Sequence, residues 1–209
     1  MRAVLATRNA GKVAELHRIL APYGVELVGL DAVAAYEPGP ETGETFAENA
    51  LAKAREAAVA TGLPAVADDS GLAVDALRGM PGVLSARWAG RHGDDPANNA
   101  LLLGQLGDVP DERRGAVFVC AAAWALPDGR EGVVEGRLHG QLLRAPRGTN
   151  GFGYDPLFLP DGSDRTCAEL APAEKDAISH RGQAFRALAP VLAAVLPGQT
   201  ASAPAPGAP

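Results

Sequence analysis

The stretch that decides the fold is Ala116-Val117-Phe118-Val119-Cys120-Ala121-Ala122-Ala123-Trp124-Ala125-Leu126, then Pro127-Asp128-Gly129, then Glu131 through Leu142. The first run carries no charge and has the length of a strand buried on both faces, which predicts a central position. Pro-Asp-Gly is turn chemistry. The second run alternates. Gly132, Val134, Gly136, Leu138, Gly140 and Leu142 point one way, and Glu131, Glu135, Arg137, His139 and Gln141 the other. That is a half-buried strand, so the pair predicts an antiparallel hairpin.

Upstream the chain reads differently. Arg2 to Thr7 is a short apolar strand, and from Gly11 the spacing becomes helical, with Val13, Leu16, Leu20 and Tyr23 on one face. Val25 to Leu30 is a second strand, so the chain opens as a parallel-forming βαβ unit. A loop over 31–44 leads to a helix over Thr45–Thr61, opened by a Thr45/Glu48 capping box and stopped by Gly62 and Pro64. Leu63 to Ala67 reads as a strand ending at Asp68-Asp69-Ser70-Gly71, with Leu72 to Val74 extended beyond it. Residues 78–93 read as loop, 96–106 as helix and 144–155 as a Gly-rich loop. The last helix runs from His180 to Leu196, with Phe185, Leu188, Leu192 and Leu196 buried. A parallel unit joined to an antiparallel hairpin makes an α/β protein with a mixed sheet, not a doubly wound parallel one.

At 209 residues the chain can bury a full core without disulfides or a structural metal. Nineteen Lys and Arg against 25 Asp and Glu give a net charge of −6. This disfavours a general nucleic-acid binder, which needs clustered cations, but allows one small anionic ligand. Cys120 and Cys167 have no partner at metal or CxxC spacing and read as reduced and structural, as in the cytoplasm. Met1 to Thr7 reads as too short and too soon interrupted for a signal peptide, and no apolar run reaches membrane-spanning length, so no membrane association is expected. Residues 197–209 carry no charge and are built from Pro, Ala and Gly with a few polar residues, which predicts a disordered tail after one domain over 1–196.

Five segments could carry chemistry. Thr7-Arg8-Asn9-Ala10-Gly11-Lys12 joins a strand to a helix, where free N–H groups, Gly11 and Lys12 suit phosphate; Asn9 could equally be a simple helix cap. Glu37, Glu41, Glu44 and Glu48 form an acidic stretch; Glu48 belongs to the capping box, while Glu41 could help hold Mg²⁺ or merely be solvated. Asp68 and Asp69 follow an apolar strand and could supply a metal ligand or general base, or form an Asp-Gly turn. Phe152 and Tyr154, among glycines, could offer a ring for a base or be core aromatics. Lys175, His180 and Arg181 surround a helix start capped by Ser179. Cations oppose the dipole there, so an anionic or carbonyl-bearing ligand would account for them. His17 and His139 read as solvated.

Taken together and in order, these blocks closely resemble the inosine/xanthosine triphosphate pyrophosphatase family. The matching segments also include Glu41-Thr42-Gly43, Thr45 to Ala50, Lys53-Ala54, Pro81 to Trp88 and Ser179-His180-Arg181-Gly182, and the likeness spans about residues 2–196. The resemblance implies an elongated mixed sheet with flanking helices, two lobes around a central nucleotide cleft, and a cytoplasmic homodimer. It implies Mg²⁺-dependent hydrolysis of ITP, dITP or XTP to the monophosphate and pyrophosphate. Asp69 would be the proton acceptor and a metal ligand, with Glu41 the second ligand. Thr7, Arg8, Asn9, Ala10, Gly11 and Lys12 would hold the triphosphate and Lys53 would face it. Ser70, Phe152, Gly153, Tyr154, Asp155, Lys175, His180 and Arg181 would line the nucleotide site. Trp88 stands where relatives often carry Tyr, which could alter a dimer or base contact. The rival readings are a Maf-type pyrophosphatase acting on pyrimidine or modified nucleotides, and a catalytically silent nucleotide-binding module.

Overall fold

The computed structural model describes residues 2–33 and 36–196; the predicted tail lies outside them. Six strands form one sheet in the order β2-β1-β3-β4-β5-β6. They are β1 (Arg2–Leu5), β2 (Glu26–Gly29), β3 (Ala65–Val74), β4 (Gly115–Ala125), β5 (Glu131–Leu142) and β6 (Phe158–Pro160). β1 runs parallel to β2 and β3, while β3, β4, β5 and β6 are successively antiparallel. The mixed sheet and the hairpin read from residues 116–142 are both present, and the hairpin pairs continuously from Gly115↔Gln141 to Ala125↔Glu131.

Among the described residues, five α-helices flank the sheet: α1 (Ala10–Leu20), α2 (Phe46–Thr61), α3 (Asp95–Gln105), α4 (Pro172–Ile178) and α5 (His180–Val195). On one face, Leu16, Ile19 and Leu20 of α1 and Phe185, Leu188 and Leu192 of α5 pack on Leu5, Val66, Cys120 and Trp124. On the other face, the alanines of α2 lie on Val4, Ala65, Ala67, Ala121 and Ala123. Small residues on both sides let this helix approach closely. Toward the far end of β3–β5, Leu102 and Leu106 join Leu72, Phe118, Tyr154 and Phe158 in a third cluster.

The register of β1 creates an opening. β1 pairs with β3 only at Val4↔Ala65 and Leu5↔Val66 and then turns away. From Ala67 onward one edge of β3 is free of β1. Part of it is covered by the 3₁₀ segment Gly82–Arg87, whose Ser85 hydroxyl accepts the Leu72 N–H at 2.9 Å. The gap beside the diverging strands is the kind of place where α/β sheets bind ligands.

Two local expectations are corrected. Asp68 to Gly71 is no turn at a strand end, because β3 continues unbroken to Val74, paired throughout with β4. Tyr23 does not belong to the buried stripe of α1; it sits in the following 3₁₀ turn and is 40% exposed. β6 and α4 carried no sequence expectation. They have three and seven residues, too few for periodicity to mark.

Candidate active site

A cleft of about 820 Å³ opens beside β3 where β1 diverges. Every residue expected above to hold triphosphate, bind metal or line the nucleotide site lies on its wall, from Thr7–Lys12 through Glu41, Lys53, Asp69 and Ser70 to Phe152–Asp155, Lys175, His180 and Arg181.

Strand periodicity separates the two adjacent carboxylates. Successive side chains on a strand point to opposite faces. Asp68 shares the face of Val66, toward α1 and α5, whereas Asp69 shares the face of Ala65 and Ala67, toward α2. They are 1% and 7% exposed, and each finds its own cations, so mutual repulsion between neighbours is not what tunes them.

On the α2 side, Asn49 Nδ2 donates to Asp69 Oδ2 at 3.1 Å, and Lys53 Nζ lies 3.3 Å from Asp69 Oδ1 and 2.9 Å from Glu41 Oε1. Asn49 also accepts the Gly43 N–H at 2.8 Å, which ties the acidic loop to the helix that holds Asp69. A Cβ at position 43 would lie 2.7 Å from Asn49 Oδ1, so this approach requires glycine. Arg87 adds contacts of 3.4 Å to the Glu41 carboxylate and its carbonyl. Burial raises the Asp69 pKa and nearby Glu41 adds to it, against the pull of Lys53 and Lys12. Burial would raise Glu41 as well, but Lys53, Lys12 and Arg87 outweigh it and hold that group low. Burial opposes the charge on Lys53, yet Asp69, Asp68 and Glu41 raise its pKa.

On the other side, Asp68 Oδ2 receives Lys12 Nζ at 2.9 Å and Arg181 Nη2 at 3.2 Å. Burial works against its ionisation, but Lys12, Arg181 and Lys53 hold its carboxyl far below the usual range. Asp68 is not among the residues of the cleft wall. Arg181 also pairs with Glu15 Oε2 at 2.5 Å and donates to Ser70 Oγ at 2.7 Å. Glu15 Oε1 takes Lys175 Nζ at 2.9 Å, and Lys175 makes a further short contact with Asp155. The cations near the α5 start therefore already have an explanation inside the protein: Glu15, Asp68 and Asp155 match Lys12, Lys175 and Arg181. Ser179 caps α5, accepting the Gly182 N–H at 3.0 Å, as expected.

Asn9 is both cap and cleft residue. Its Oδ1 accepts the Lys12 N–H at 3.0 Å, and the N-terminus of α1 opens onto the cleft with no acidic residue in its first turn. The Phe152 ring has Lys175 Nζ 5.0 Å and the Arg181 guanidinium 5.6 Å from its centroid. A Cβ on Gly11 would come 2.8 Å from this ring, so Phe152 also borders the α1 loop. His180 stacks on Phe118 at 4.8 Å, and burial, Arg181 and Lys175 push its pKa well below 6.5, so the ring is neutral at pH 7. Its Nδ1 is buried without a hydrogen-bond partner.

Among the described residues, no three His, Cys, Asp or Glu side chains group as a metal cage. The cleft instead offers Glu41 and Asp69, whose oxygens converge on one ammonium, Lys53 Nζ. Two carboxylates completed by substrate oxygens and water are the donor set Mg²⁺ favours. Sequence reasoning missed Glu15, Arg87, Asp95 and Asn99. For Glu15 a signal existed: it lies one helical turn before Ile19, on the buried stripe. Trp88 is not on the cleft wall; its indole donates to Gln105 Oε1 at 2.8 Å. Cys120 and Cys167 are free and buried. No helix among the described residues is long and apolar enough to cross a membrane.

A family model described as the Ham1 family matches residues 3–191. A relative from Nocardia farcinica, named dITP/XTP pyrophosphatase, is 66% identical over 197 residues, covering 93% of this chain and 96% of that protein. One of the same name from Streptomyces coelicolor is 64% identical over 93% of this chain and 98% of its own. A crystal structure described as a nucleoside-triphosphatase / dITP/XTP pyrophosphatase from Mycobacterium abscessus is 64% identical, with a TM-score of 0.75 over 90% of this chain and 98% of that one. A HAM1 protein structure from Coxiella burnetii is 43% identical, with a TM-score of 0.82 over 93% of this chain and 100% of that one.

Proposed function

The chain belongs to the Ham1 family and is a nucleoside-triphosphate pyrophosphatase acting on deaminated purine nucleotides; from that premise we propose that Asp69 is its proton acceptor and that Glu41 and Asp69 hold Mg²⁺. The names of the relatives leave the Maf-type alternative unfavoured. The observation that carries the reading is the convergence of Asp69, Glu41 and Lys53 on the same cleft as the α1 N-terminus. The family calls for a divalent metal, and the two carboxylates fit Mg²⁺. When bound, that ion supplies charge neutralisation at the triphosphate oxygens.

The chain's own groups do the rest. The N–H groups of Asn9 to Lys12, at the positive end of α1, bind phosphate oxygens. Lys12 and Lys53 neutralise charge on the departing pyrophosphate. Asp69, oriented by Asn49, takes the proton of a water attacking the α-phosphorus. Burial raises its pKa, which makes it a better base than an exposed aspartate. Phe152 stacks on the purine. A donor from His180, Arg181 or backbone near the 6-oxo group would be left unpaired against adenine, a mismatch that discriminates strongly.

The working domain spans 1–196. The protein acts in the cytoplasm as a homodimer, independent of nucleic acid and membrane, with exposed Val59 and Val133 as apolar surface for a partner copy. The test is pyrophosphate release with Mg²⁺ from ITP, dITP, XTP, ATP, GTP and dTTP. Deaminated purines should be cleaved fastest, and orthophosphate as first product would overturn the reaction class.

A further inference from the structure

We propose that helix α3, through Asp95 and Asn99, positions the Phe152 ring and thereby sets affinity for the nucleoside end of the substrate without touching the phosphates. The proposal rests on the reading of Phe152 as the ring on which the base stacks.

The Gly153 N–H donates to Asp95 Oδ2 at 2.6 Å, and Asn99 Nδ2 donates to the Gly153 carbonyl at 2.9 Å. Asp95 and Asn99 are four residues apart on α3 and so share a face. Both backbone polar groups of one loop residue are thus held by a single helix 54 to 58 positions away in sequence. This loop needs outside support. Gly151 and Gly153 have φ of +74° and +63°, a left-handed conformation that belongs to no strand or helix. On the other side of the ring, the Phe152 N–H donates to Asp155 Oδ2 at 3.0 Å. The two peptide groups flanking Phe152 therefore end on two different carboxylates, one from the loop itself and one from α3.

α3 is itself fixed. Asp94 caps it, accepting the Ala97 N–H at 3.2 Å, and Asn98 accepts the Ala89 N–H at 2.7 Å. Asn98 Nδ2 donates to the Ala86 carbonyl at 3.3 Å and the Tyr154 hydroxyl to the Ser85 carbonyl at 2.9 Å, which ties both helix and loop to the 3₁₀ segment Gly82–Arg87. Loop, helix and 3₁₀ segment brace one another. Asn99 keeps its amide at a cost, since its Oδ1 is buried without a partner. Leucine would abolish that orphan acceptor, so the value of asparagine here lies in its donor.

The Asp95 and Asn99 side chains bond to Gly153 and to none of Asn9–Lys12, Lys53 or Asp69, so their loss should weaken ground-state binding of the nucleoside and leave the reacting phosphate in place. The experiment measures kcat and KM for dITP, and competitive inhibition by inorganic tripolyphosphate, which has no base. The enzymes are wild type, Asn99→Leu, Asp95→Ala, Asp95→Asn and Phe152→Leu. Asn99→Leu and Asp95→Ala should raise KM for dITP about tenfold, on the scale of a lost base–aromatic contact. Their kcat and tripolyphosphate inhibition constants should stay within about threefold of wild type. Asp95→Asn retains an acceptor for the Gly153 N–H and should restore KM. An unchanged KM in Asn99→Leu and Asp95→Ala, while Phe152→Leu raises it, would overturn the role of α3. An unchanged KM in Phe152→Leu would instead overturn the ring's own role. A tripolyphosphate constant that rises in step with KM would show general distortion and also overturn the proposal.

Discussion

Glu15 joins two buried cations, so its removal should cost the fold heavily. Its two oxygens hold Lys175 at 2.9 Å and Arg181 at 2.5 Å, and all three side chains are at most 7% exposed. The cluster is balanced: Glu15, Asp68 and Asp155 face Lys12, Lys175 and Arg181. Burial disfavours the charge on Glu15, yet Arg181 and Lys175 lower its pKa, so it is ionised at neutral pH. Glu15→Leu leaves one cation in excess inside the protein. Removing one partner of a buried pair costs about 3–5 kcal/mol, because the remaining charge is left uncompensated. With a urea m-value of about 2 kcal/mol/M, the unfolding midpoint should fall by about 1.5–2.5 M. Glu131→Gln is the control. It breaks a pair with Arg55 whose side chains are 54% and 29% exposed, and such surface pairs contribute under about 1 kcal/mol. Both variants would be unfolded in urea at pH 7.5, followed by circular dichroism. A midpoint shift for Glu15→Leu no larger than that of the control would refute the claim that this network is a buried, charge-matched unit.

Two further predictions concern the same walls. Asn49→Leu removes the donor to Asp69 and the acceptor for Gly43. It should lower kcat for dITP about 100-fold with KM little changed, because a misplaced base costs turnover rather than binding; a rise in KM alone would contradict this. His180 has a folded pKa below its ordinary 6.5, so as pH falls the unfolded chain takes up the proton first. The neutral ring's advantage is present above that value and is lost below it. Between pH 7.5 and 5.5 wild type should lose about 1.4 kcal/mol more stability than His180→Phe, by one proton of linkage. Parallel urea curves at the two pH values, with equal losses in both proteins, would refute it.

Legibility in the sequence followed the length of each signal. The hairpin over 116–142 and the helix capped by Thr45 and Glu48 were readable because period and capping extend over many residues. The cleft residues were recognisable as blocks in order, but not their partners. Asp68 and Asp69 looked like one acidic unit because adjacency in sequence hides the alternation of a strand. Their separation follows only once β3 is known to run through Val74. Lys175 and Arg181 looked unpaired because Glu15, which neutralises both, lies 160 and 166 residues away. Asp95 and Asn99 resemble any polar helix start, and only the fold brings Gly153 to them.

The most direct test of the central claim is single-turnover pyrophosphate release from saturating dITP by Asp69→Asn. Asparagine preserves the shape of the side chain but cannot accept the proton of the attacking water. The account predicts an unchanged fold, dITP affinity near that of wild type and a rate lower by about 10²–10⁴, the range for loss of a general base. Turnover within a few-fold of wild type, with dITP bound normally, would contradict it.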